Sequence, residues 1–339
     1  MNLWWRDEAA RRGSNFDRRQ FLQSSGLAGA ILLGGGRRQP TSRNQQKFRI
    51  GMAATEWLAP SPSTATYWKA CYAIASIGMG AMEPDNSAAQ LDSAYGSRIH
   101  EFRSRSIEIG ACPTGVYQAL SLHIPARLPE MRSKISAVSG FLKAVGAQYL
   151  NLGWDVHGAS HGQPYRRTPE DVKNAIHAMD ELGRLSSEEH GIPMAYHAER
   201  DTRKEIVRQV LDGTNPDYVH WCADVGHLTA MGFDAVAVVK AYYSRLIVSH
   251  WKDFDPDLPA PKYLGGEARG DFVELGKGVV DFPVLAAFLL ANGYDGWAMI
   301  ELDRTREPSV LTSAWEMERY VTEDLRLRVY PTHHRPLTA

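Results

Sequence analysis

Short apolar segments alternate with amphipathic segments from residue 48 onward, and this alternation predicts an α/β fold, a closed (β/α)8 or TIM barrel. The apolar segments are largely continuous, as expected for parallel strands that are covered on both faces. The first of them is followed by ATEWLAPSPS, which lacks the glycine-rich phosphate loop expected after the first strand of an open doubly wound sheet. Eight strands without that loop favour the closed barrel.

Eight segments are predicted as strands, because their length and apolar character are typical of buried strands. In chain order they are FRIGMAA (48–54), GMGAME (78–83), SIEIGAC (106–112), AQYLNLGW (147–154), IPMAYHAE (192–199), YVHWCADV (218–225), RLIVSHWK (245–252) and GWAMIELD (296–303).

Amphipathic helices are predicted between these strands. In TPEDVKNAIHAMDEL, Thr168 precedes Asp171 by three residues, which is the spacing of a capping box. In DFPVLAAFLLANGYDG, Pro283 lies early and Gly293 follows the last apolar residue, as at the ends of many helices. The segments EMRSKISAVSGFLKAVG and SVLTSAWEMERYVTEDL have the same 3.6-residue period.

The amino-terminal segment is predicted to lie outside the barrel. Arg18 and Arg19 stand directly before Phe21 and Leu22, and a weakly apolar, glycine-rich run follows. This pattern resembles a twin-arginine export signal. The run 26–36 is shorter than the about 20 apolar residues that span a bilayer. A disordered basic tail is the alternative.

The predicted organisation has three parts: a twin-arginine signal and linker at 1–47, one barrel domain at 48–331 and a tail at 332–339. The twin-arginine route exports folded proteins, which suits a protein that takes up a metal before export. We therefore expect a periplasmic protein, with the signal either cleaved or kept as a membrane tether. The twin-arginine translocase is the expected partner during export.

Composition and charge do not favour a nucleic-acid-binding or membrane-docking protein. The chain is 44% hydrophobic and 23% charged, with a net charge of −1, so nothing in the total favours a nucleic-acid partner or electrostatic membrane docking. Cys71, Cys112 and Cys222 lie in or beside apolar runs without metal-finger spacing, and we interpret them as small buried side chains. A homo-oligomer is compatible with the sequence.

Ionisable residues cluster at the predicted carboxyl ends of the strands, where barrels of this type carry their chemistry. They are Glu83 on the second strand, His197 and Glu199 on the fifth, Asp224 and His227 on the sixth, His250 and Lys252 on the seventh, and Glu301 on the eighth. Two carboxylates and two imidazoles on adjacent strands suit Mn²⁺, Co²⁺, Zn²⁺ or Mg²⁺. We therefore predict one divalent metal ion above the barrel.

Four segments resemble the xylose isomerase-like TIM barrel superfamily, which contains sugar isomerases, epimerases, inosose dehydratases and endonuclease IV. They are ADVGH (223–227), SHWKD (249–253), LGKGVVDFPVL (275–285) and YDGWAMIELD (294–303). The resemblance extends from about residue 48 to about residue 325 and is closest to the inosose dehydratase and isomerase branch. The segments are specific in combination, and each alone is weak.

The resemblance implies metal ligands at Asp224, His250 and Glu301. The family's fourth ligand is usually a glutamate that ends the fifth strand. Here His197 occupies that position and Glu199 follows two residues later. Both side chains are expected to face inward, so either can bind. We favour His197 as the ligand, which leaves Glu199 as a base or substrate contact.

Three residues are predicted to be catalytic: Glu199, Lys252 and His227. Lys252 follows His250 by two residues and so also faces inward. A lysine beside a dication is expected to have a depressed pKa, which suits proton transfer or polarisation of a carbonyl. A lysine at the rim is the alternative. His227 is expected to orient Asp224 or to contact substrate.

Five residues are predicted to contact a sugar or cyclitol substrate: Glu83, Trp154, His157, His161 and Trp251. The two histidines lie in the polar loop 153–169, which can close over a substrate, and the insertion 253–275 is a second candidate lid. Solvated loop histidines and tryptophans packed in the core are the alternatives.

The function predicted first is a metal-dependent lyase of the inosose dehydratase type, which acts on a keto-inositol or keto-sugar through an enediolate. A keto-sugar isomerase or epimerase of the same superfamily is the second prediction. An inactive exported sugar-binding barrel remains a third, because the glutamate of the fifth strand is replaced. His250 argues against a metal-free glycosidase, and the neutral charge argues against an endonuclease.

Overall fold

The computed structural model describes residues 46–58, 63–85, 91, 95–155, 167–261 and 269–332. These residues belong to one compact unit, Ser42–Ala339. Except for residues 46 and 47, the predicted signal and linker lie outside the described residues, as does the predicted tail after residue 332. Export and its translocase partner therefore stay predictions.

Eleven strands follow one another in the described residues. They are β1 (Arg49–Ala53), β2 (Ala81–Glu83), β3 (Cys112–Pro113), β4 (Gly115–Leu120), β5 (Tyr149–Trp154), β6 (Met194–His197), β7 (Val219–Asp224), β8 (Leu246–Trp251), β9 (Asp253–Pro259), β10 (Arg269–Val273) and β11 (Trp297–Ile300). Nine of them form one sheet in the order β3-β2-β1-β11-β8-β7-β6-β5-β4, and β9 and β10 form a separate antiparallel hairpin.

The nine-stranded sheet is parallel throughout and nearly closes on itself. A parallel bridge between Asp85 and Tyr117 connects the region after β2 with β4, where Tyr117 donates its backbone N–H to the carbonyl of Pro84 at 3.1 Å. β3 and β4 together occupy the position of a third barrel strand, on either side of Thr114. The predicted TIM barrel is confirmed.

Ten α-helices lie between or after the strands of the described chain. They are α1 (Thr55–Leu58), α2 (Thr64–Ser76), α3 (Ile99–Ile109), α4 (Leu128–Val145), α5 (Pro169–His190), α6 (Lys204–Gly213), α7 (Val225–Ala230), α8 (Ala235–Ala241), α9 (Phe282–Ala291) and α10 (Val310–Arg319). The predicted capping box of Thr168 and Asp171 is confirmed. Within the described residues, no helix has both the length and the apolar character needed to cross a membrane.

The third predicted strand is wrong. Residues 106–109 of SIEIGAC form the last turn of α3, which ends at Gly110 in the left-handed conformation (φ 90°). Phe102, Ser106 and Ile109 are its buried residues, and their spacing is that of one helix face. The strand is GVYQAL (β4), which contains a polar Gln118 and follows the short β3.

An apolar plug fills the barrel below its strand ends, so that only the upper layer of the lumen is polar. It consists of Ala81, Tyr149, Ala195, Cys222, Val248, Trp297 and Met299. A second and larger apolar cluster includes residues from both the strands and the helices. The plug separates the polar strand ends from the bottom of the barrel.

Asp253 fastens the start of the hairpin to the loop before α9. Its buried carboxylate accepts backbone hydrogen bonds from Phe254, Gly276, Gly278 and Val280 at 2.8–3.0 Å. A Cβ atom on Gly278 would lie 2.4 Å from this carboxylate, so glycine is required there. Asp253 thus has a structural role, and the glycine-rich segment 275–285 has a physical explanation.

Candidate metal centre and active site

Asp224 ends β7 and also caps the helix that follows. Its Oδ1 accepts the backbone N–H of His227 at 2.8 Å, as an N-cap side chain does. Its Oδ2 is buried without a hydrogen-bond partner and lies 3.4 Å from Nε2 of His197. The turn therefore fixes one carboxylate oxygen and leaves the other directed at neighbouring strand ends.

Gly226 allows this turn to lie against β8. A Cβ atom at this position would come within 2.9 Å of the backbone oxygen, Cβ and Cγ of Lys252. Any other residue would push α7 away from the lysine side chain. The segment ADVGH thus brings a carboxylate, an imidazole and a neighbouring lysine into one small volume.

Four buried side chains at the strand ends form a group that we call the donor ring: His197, Asp224, His250 and Glu301. One nitrogen or oxygen atom from each lies within 4.8 Å of the others. Both ring nitrogens of His197, Nδ1 of His250, Oδ2 of Asp224 and Oε2 of Glu301 are buried and make no hydrogen bond, but they lie in ion-pair contact with one another, as in the 2.5 Å contact of Nδ1 of His250 with Oε2 of Glu301.

The donor ring fits a divalent ion. Unpaired buried polar atoms are costly, and a single ion at their centre would satisfy all four side chains. These are the four residues predicted as ligands, and the structure brings His197 rather than Glu199 into the group. Their role as ligands stays a prediction.

Glu199 lies beside the donor ring and is its more accessible neighbour. Its Oε1 accepts the hydroxyl hydrogen of Tyr117 at 2.6 Å and lies 3.2 Å from Nδ1 of His197. Its side chain is 31% exposed, whereas the side chain of His197 is 3% exposed. Glu199 is therefore the carboxylate that a bound molecule can reach.

Glu83 supports His250 from within the barrel. One carboxylate oxygen lies 2.9 Å from Nε2 of His250, and the other accepts a hydrogen bond from Asn151 at 2.8 Å. A buried carboxylate on one imidazole nitrogen directs the lone pair of the other nitrogen toward a metal. Both oxygens of Glu83 are thus engaged, which favours positioning of His250 over the predicted contact with substrate.

Lys252 is buried among three carboxylates. Its Nζ lies 2.7 Å from Asp303, 3.3 Å from Glu301 and 3.4 Å from Asp224. Burial opposes the charged form, but the three carboxylates outweigh it and raise the pKa of Lys252 well above its usual range. In the protein groups alone the carboxylates hold the proton on the amine, and the predicted depression of this pKa beside a dication stays a prediction.

The imidazole of His227 lies between Lys252 and the end of β6. Burial, opposed by Asp224 and assisted by the nearby ammonium of Lys252, lowers the pKa of His227. Its Nδ1 accepts the backbone N–H of Arg200 at 2.6 Å, and its Nε2 lies 3.1 Å from Nζ of Lys252. The same Nε2 is 3.5 Å from Glu199, which it can therefore orient.

The remaining charges of the site are coupled. Burial opposes ionisation of the imidazoles, but Glu199 raises the pKa of His197, and Cys222, Glu83 and Glu301 raise that of His250, well above the usual value. Burial likewise opposes ionisation of Glu199, Asp224 and Glu301, yet the neighbouring cations lower the pKa of each. A dication would replace the protons of two imidazoliums without a change in total charge.

The hairpin forms a wall on one side of the site. The ring of Phe272 packs against His227 at 4.9 Å, and Nζ of Lys252 lies 4.9 Å from the centre of the same ring. Arg200 donates to the carbonyl of Gly270 at 3.1 Å and so fastens the hairpin to the end of β6. The predicted lid at 253–275 thus includes this hairpin; residues 262–268 lie outside the described chain.

The aromatic residues predicted to contact substrate have other partners. Trp251 lies between His250 and Lys252 in sequence, so it faces away from the lumen, where it packs against Phe48 and Phe282. Its assignment to the substrate site is wrong. Trp154 is buried, donates its indole N–H to His123 at 3.1 Å and has the guanidinium of Arg167 over its ring, which favours packing.

His157 and His161 lie outside the described residues, and their predicted contact with substrate stays a prediction.

Four residues of the site were missed or set aside in the sequence analysis. They are Asp85, Tyr117, Asn151 and Asp303. Burial and the neighbouring Glu301 and Glu199 raise the pKa of Asp85 to about 7. Asn151 offered a signal, since it is a polar residue in the middle of the apolar strand YLNLGW.

The fold and this site define a (β/α)8 barrel with buried imidazoles and carboxylates at its strand ends. The chain belongs to the xylose isomerase-like TIM barrel family, whose model matches residues 71–326. This confirms the resemblance seen in the sequence.

Known proteins of several activities are similar to this chain. Inosose dehydratase of Clostridium botulinum is 26% identical over 214 residues, which are 57% of this chain and 70% of that enzyme. The structure of 3-keto-D-glucoside 4-epimerase YcjR of E. coli is 16% identical with a TM-score of 0.61, covering 83% of this chain and 99% of that one. A xylose isomerase-like TIM barrel protein of Mycobacterium smegmatis in complex with magnesium is 17% identical with a TM-score of 0.62, covering 84% and 98%.

The substitution Glu83→Gln is expected to weaken metal binding. It removes the carboxylate that orients His250, and changes of this kind typically cost about 10–100-fold in affinity. Isothermal titration with Mn²⁺ measures the effect. Glu274→Gln is the matched control, because Glu274 is also buried but binds Ser313 instead of the donor ring. Equal affinities of all three proteins would contradict the role given to Glu83.

Metal binding is expected to release protons and to strengthen as the pH rises. The raised pKa values of His197 and His250 keep the metal-free imidazoles protonated at neutral pH, and a metal ion must displace these protons. Each displaced proton changes the apparent affinity by about tenfold per pH unit. Titrations in buffers of different ionisation enthalpy count the protons. Heats that are identical in all buffers would show that no proton is displaced and would contradict protonated imidazoles in the metal-free site.

Proposed function

We propose that the protein is a divalent-metal-dependent lyase of the inosose dehydratase type, which removes water from a keto-inositol or keto-sugar through an enediolate. The observation that carries the proposal is the arrangement of charges around the donor ring. An ionised, partly exposed Glu199 follows β6. A protonated Lys252, which follows β8, contacts Asp303 after β11. Proton removal and proton donation thus have separate groups.

His197, Asp224, His250 and Glu301 would hold the ion, and the ion would supply a Lewis acid for a substrate carbonyl oxygen. The metal role of these residues is part of the proposal. Glu83 and Asn151 keep His250 in place, and Thr55 donates its hydroxyl hydrogen to Glu301 at 3.0 Å. The protein thereby fixes its donors before a substrate arrives.

Glu199 is the proposed base. Its lowered pKa keeps it ionised at neutral pH, and its exposed edge lies next to the donor ring. It takes the proton from the carbon adjacent to the substrate carbonyl, and the electron pair of that C–H bond forms the enediolate. Tyr117 and His227 hold the carboxylate in position during this step.

Lys252 and Asp303 form the proposed acid side. The ammonium is buried, and the side chain of Asp303 is 37% exposed, so a proton can pass from Lys252 through Asp303 to the substrate. When the enediolate expels the hydroxyl group on the next carbon, this proton completes a molecule of water. The substrate thus loses one proton to Glu199 and one hydroxyl group to the new water molecule. Glu199 then releases its proton to solvent and Lys252 takes one up from solvent before the next turnover.

A keto-sugar isomerase or epimerase is the second candidate, because the same two groups serve it. Proton removal by Glu199 followed by return of a proton from the Lys252 side gives an isomer without loss of water. The similarity to an inosose dehydratase of Clostridium botulinum supports the lyase, and the fold shared with the 3-keto-D-glucoside 4-epimerase of E. coli is compatible with the alternative.

The Mn²⁺-loaded protein is expected to exchange deuterium from D2O into the carbon next to the carbonyl of a keto-inositol or 3-keto-glucoside. A product lighter by one water identifies a lyase, and exchange without mass loss identifies an isomerase or epimerase. Glu199→Gln is expected to lower the rate by about 10²–10⁴-fold while metal content is kept, because an amide cannot take the proton. Glu205→Gln, an exposed change on α6, is the control.

If the protein catalyses no deuterium exchange and no loss of water with any of these substrates, the proposal is contradicted. That result would favour an inactive sugar-binding barrel. An active Glu199→Gln protein would contradict the assignment of the base alone.

A further inference from the structure

Cys222 lies on the inner face of the barrel, directly below the donor ring. It precedes Asp224 by two residues on β7, so both side chains face the lumen, with Cys222 about 6.5 Å deeper along the strand. It pairs in register with His197 on β6 and is fully buried. The thiol thus belongs to the apolar plug and lies next to the polar side chains of the donor ring.

The thiol shares both imidazoles with the carboxylates above it. Sγ of Cys222 and one nitrogen each of His197 and His250 lie within 4.8 Å of one another. The same two histidines lie within 4.8 Å of carboxylate oxygens of Asp224 and Glu301. Two overlapping sets of donors therefore exist, one with oxygen atoms and one with sulfur.

A second observation points to a ligand between these groups. Both ring nitrogens of His197 and Nδ1 of His250 are buried and make no hydrogen bond, and their nearest charged neighbours are the carboxylates of Glu199, Asp224 and Glu301. A metal ion that displaces their protons would make these nitrogens available as ligands beside the thiol. Thiolates prefer soft or borderline ions such as Zn²⁺ and Co²⁺, whereas carboxylates suit Mg²⁺ and Mn²⁺. Zinc bonds of about 2.0–2.3 Å place ligands roughly 3.5 Å apart, so small side-chain movements would close the sulfur set.

We propose that Cys222 is a sulfur ligand for thiophilic divalent ions, which bind through His197, His250 and the thiolate, whereas Mn²⁺ and Mg²⁺ stay with Asp224 and Glu301. Binding breaks the S–H bond, releases its proton to the buffer and forms a sulfur–metal bond, with no change of oxidation state. The inference rests on the metal centre of the proposed function. It assigns the choice of metal to one residue of the plug.

The alternative is that Cys222 only fills space in the plug. In that case its replacement by alanine would leave the affinities for hard and soft ions in an unchanged ratio. The proposal predicts instead that the substitution changes this ratio.

Cobalt spectroscopy of the full chain tests the proposal directly. The metal-free protein is titrated with Co²⁺, and a sulfur-to-cobalt charge-transfer band in the near ultraviolet is expected beside the visible ligand-field bands. Cys222→Ala is expected to lose the charge-transfer band and keep the ligand-field bands. Cys71→Ala is the matched control, because Cys71 is also a buried free cysteine but contacts Met82 instead of the donor ring, and it is expected to keep both.

Competition titrations give the second readout. Cys222→Ala is expected to lower the affinity for Zn²⁺ by at least about tenfold and to leave that for Mn²⁺ within about twofold. Equal losses for both ions would overturn the proposal in favour of a structural role. Thermal unfolding of the metal-free variants shows whether each one is folded.

The two failures are distinguishable. Ligand-field bands without a charge-transfer band in the unaltered protein would overturn the role of Cys222 and leave the metal centre intact. Absence of all cobalt bands would overturn the metal centre and the sulfur ligand together.

Discussion

Parallel closure of the barrel forces the ionisable side chains at the strand ends into one buried volume, and the rest of the site follows from this constraint. A buried charge is costly unless it is paired. The charged side chains at the strand ends therefore have partners of opposite charge: Glu83 contacts His250, and Lys252 lies among three carboxylates. The buried atoms that make no hydrogen bond converge on one point, which is where a dication fits.

The segments that identify the family have physical roles in this arrangement. In ADVGH, Asp224 both ends a strand and caps the following helix. Gly226 avoids a clash with Lys252 that any side chain at this position would cause. SHWKD places His250 and Lys252 inward and supplies Asp253, which the glycine-rich loop 275–285 surrounds with backbone N–H groups. The combination is specific because each segment needs the others to form its contacts.

Much of the fold and of the donor ring could be predicted from the sequence, because strand ends of a parallel barrel meet at one edge. The third strand could not, since Ile107 and Ile109 gave α3 the composition of a strand, while β4 carries Tyr117 and Gln118. That error also hid Tyr117, whose bond to Glu199 joins residues 82 positions apart. Such pairs depend on the register between distant strands, which a single sequence does not specify.

The pKa of Lys252 shows a second limit of prediction from a single sequence. Proximity to a metal predicts a depressed pKa, but the three surrounding carboxylates became visible only when distant strands were brought together. Trp251 shows the opposite case. The two-residue alternation that assigns His250 and Lys252 to the lumen places the tryptophan on the outer face, against Phe282.

The metal content of the full chain tests the central claim most directly. After incubation with Mn²⁺, Co²⁺, Zn²⁺ or Mg²⁺ and removal of free ions, elemental analysis of the unaltered protein is compared with that of the double variant Asp224→Ala, His250→Ala. The account predicts about one divalent ion per chain in the unaltered protein and loss of that ion in the variant. No retained ion with any of the four metals, or equal content in both proteins, would contradict it.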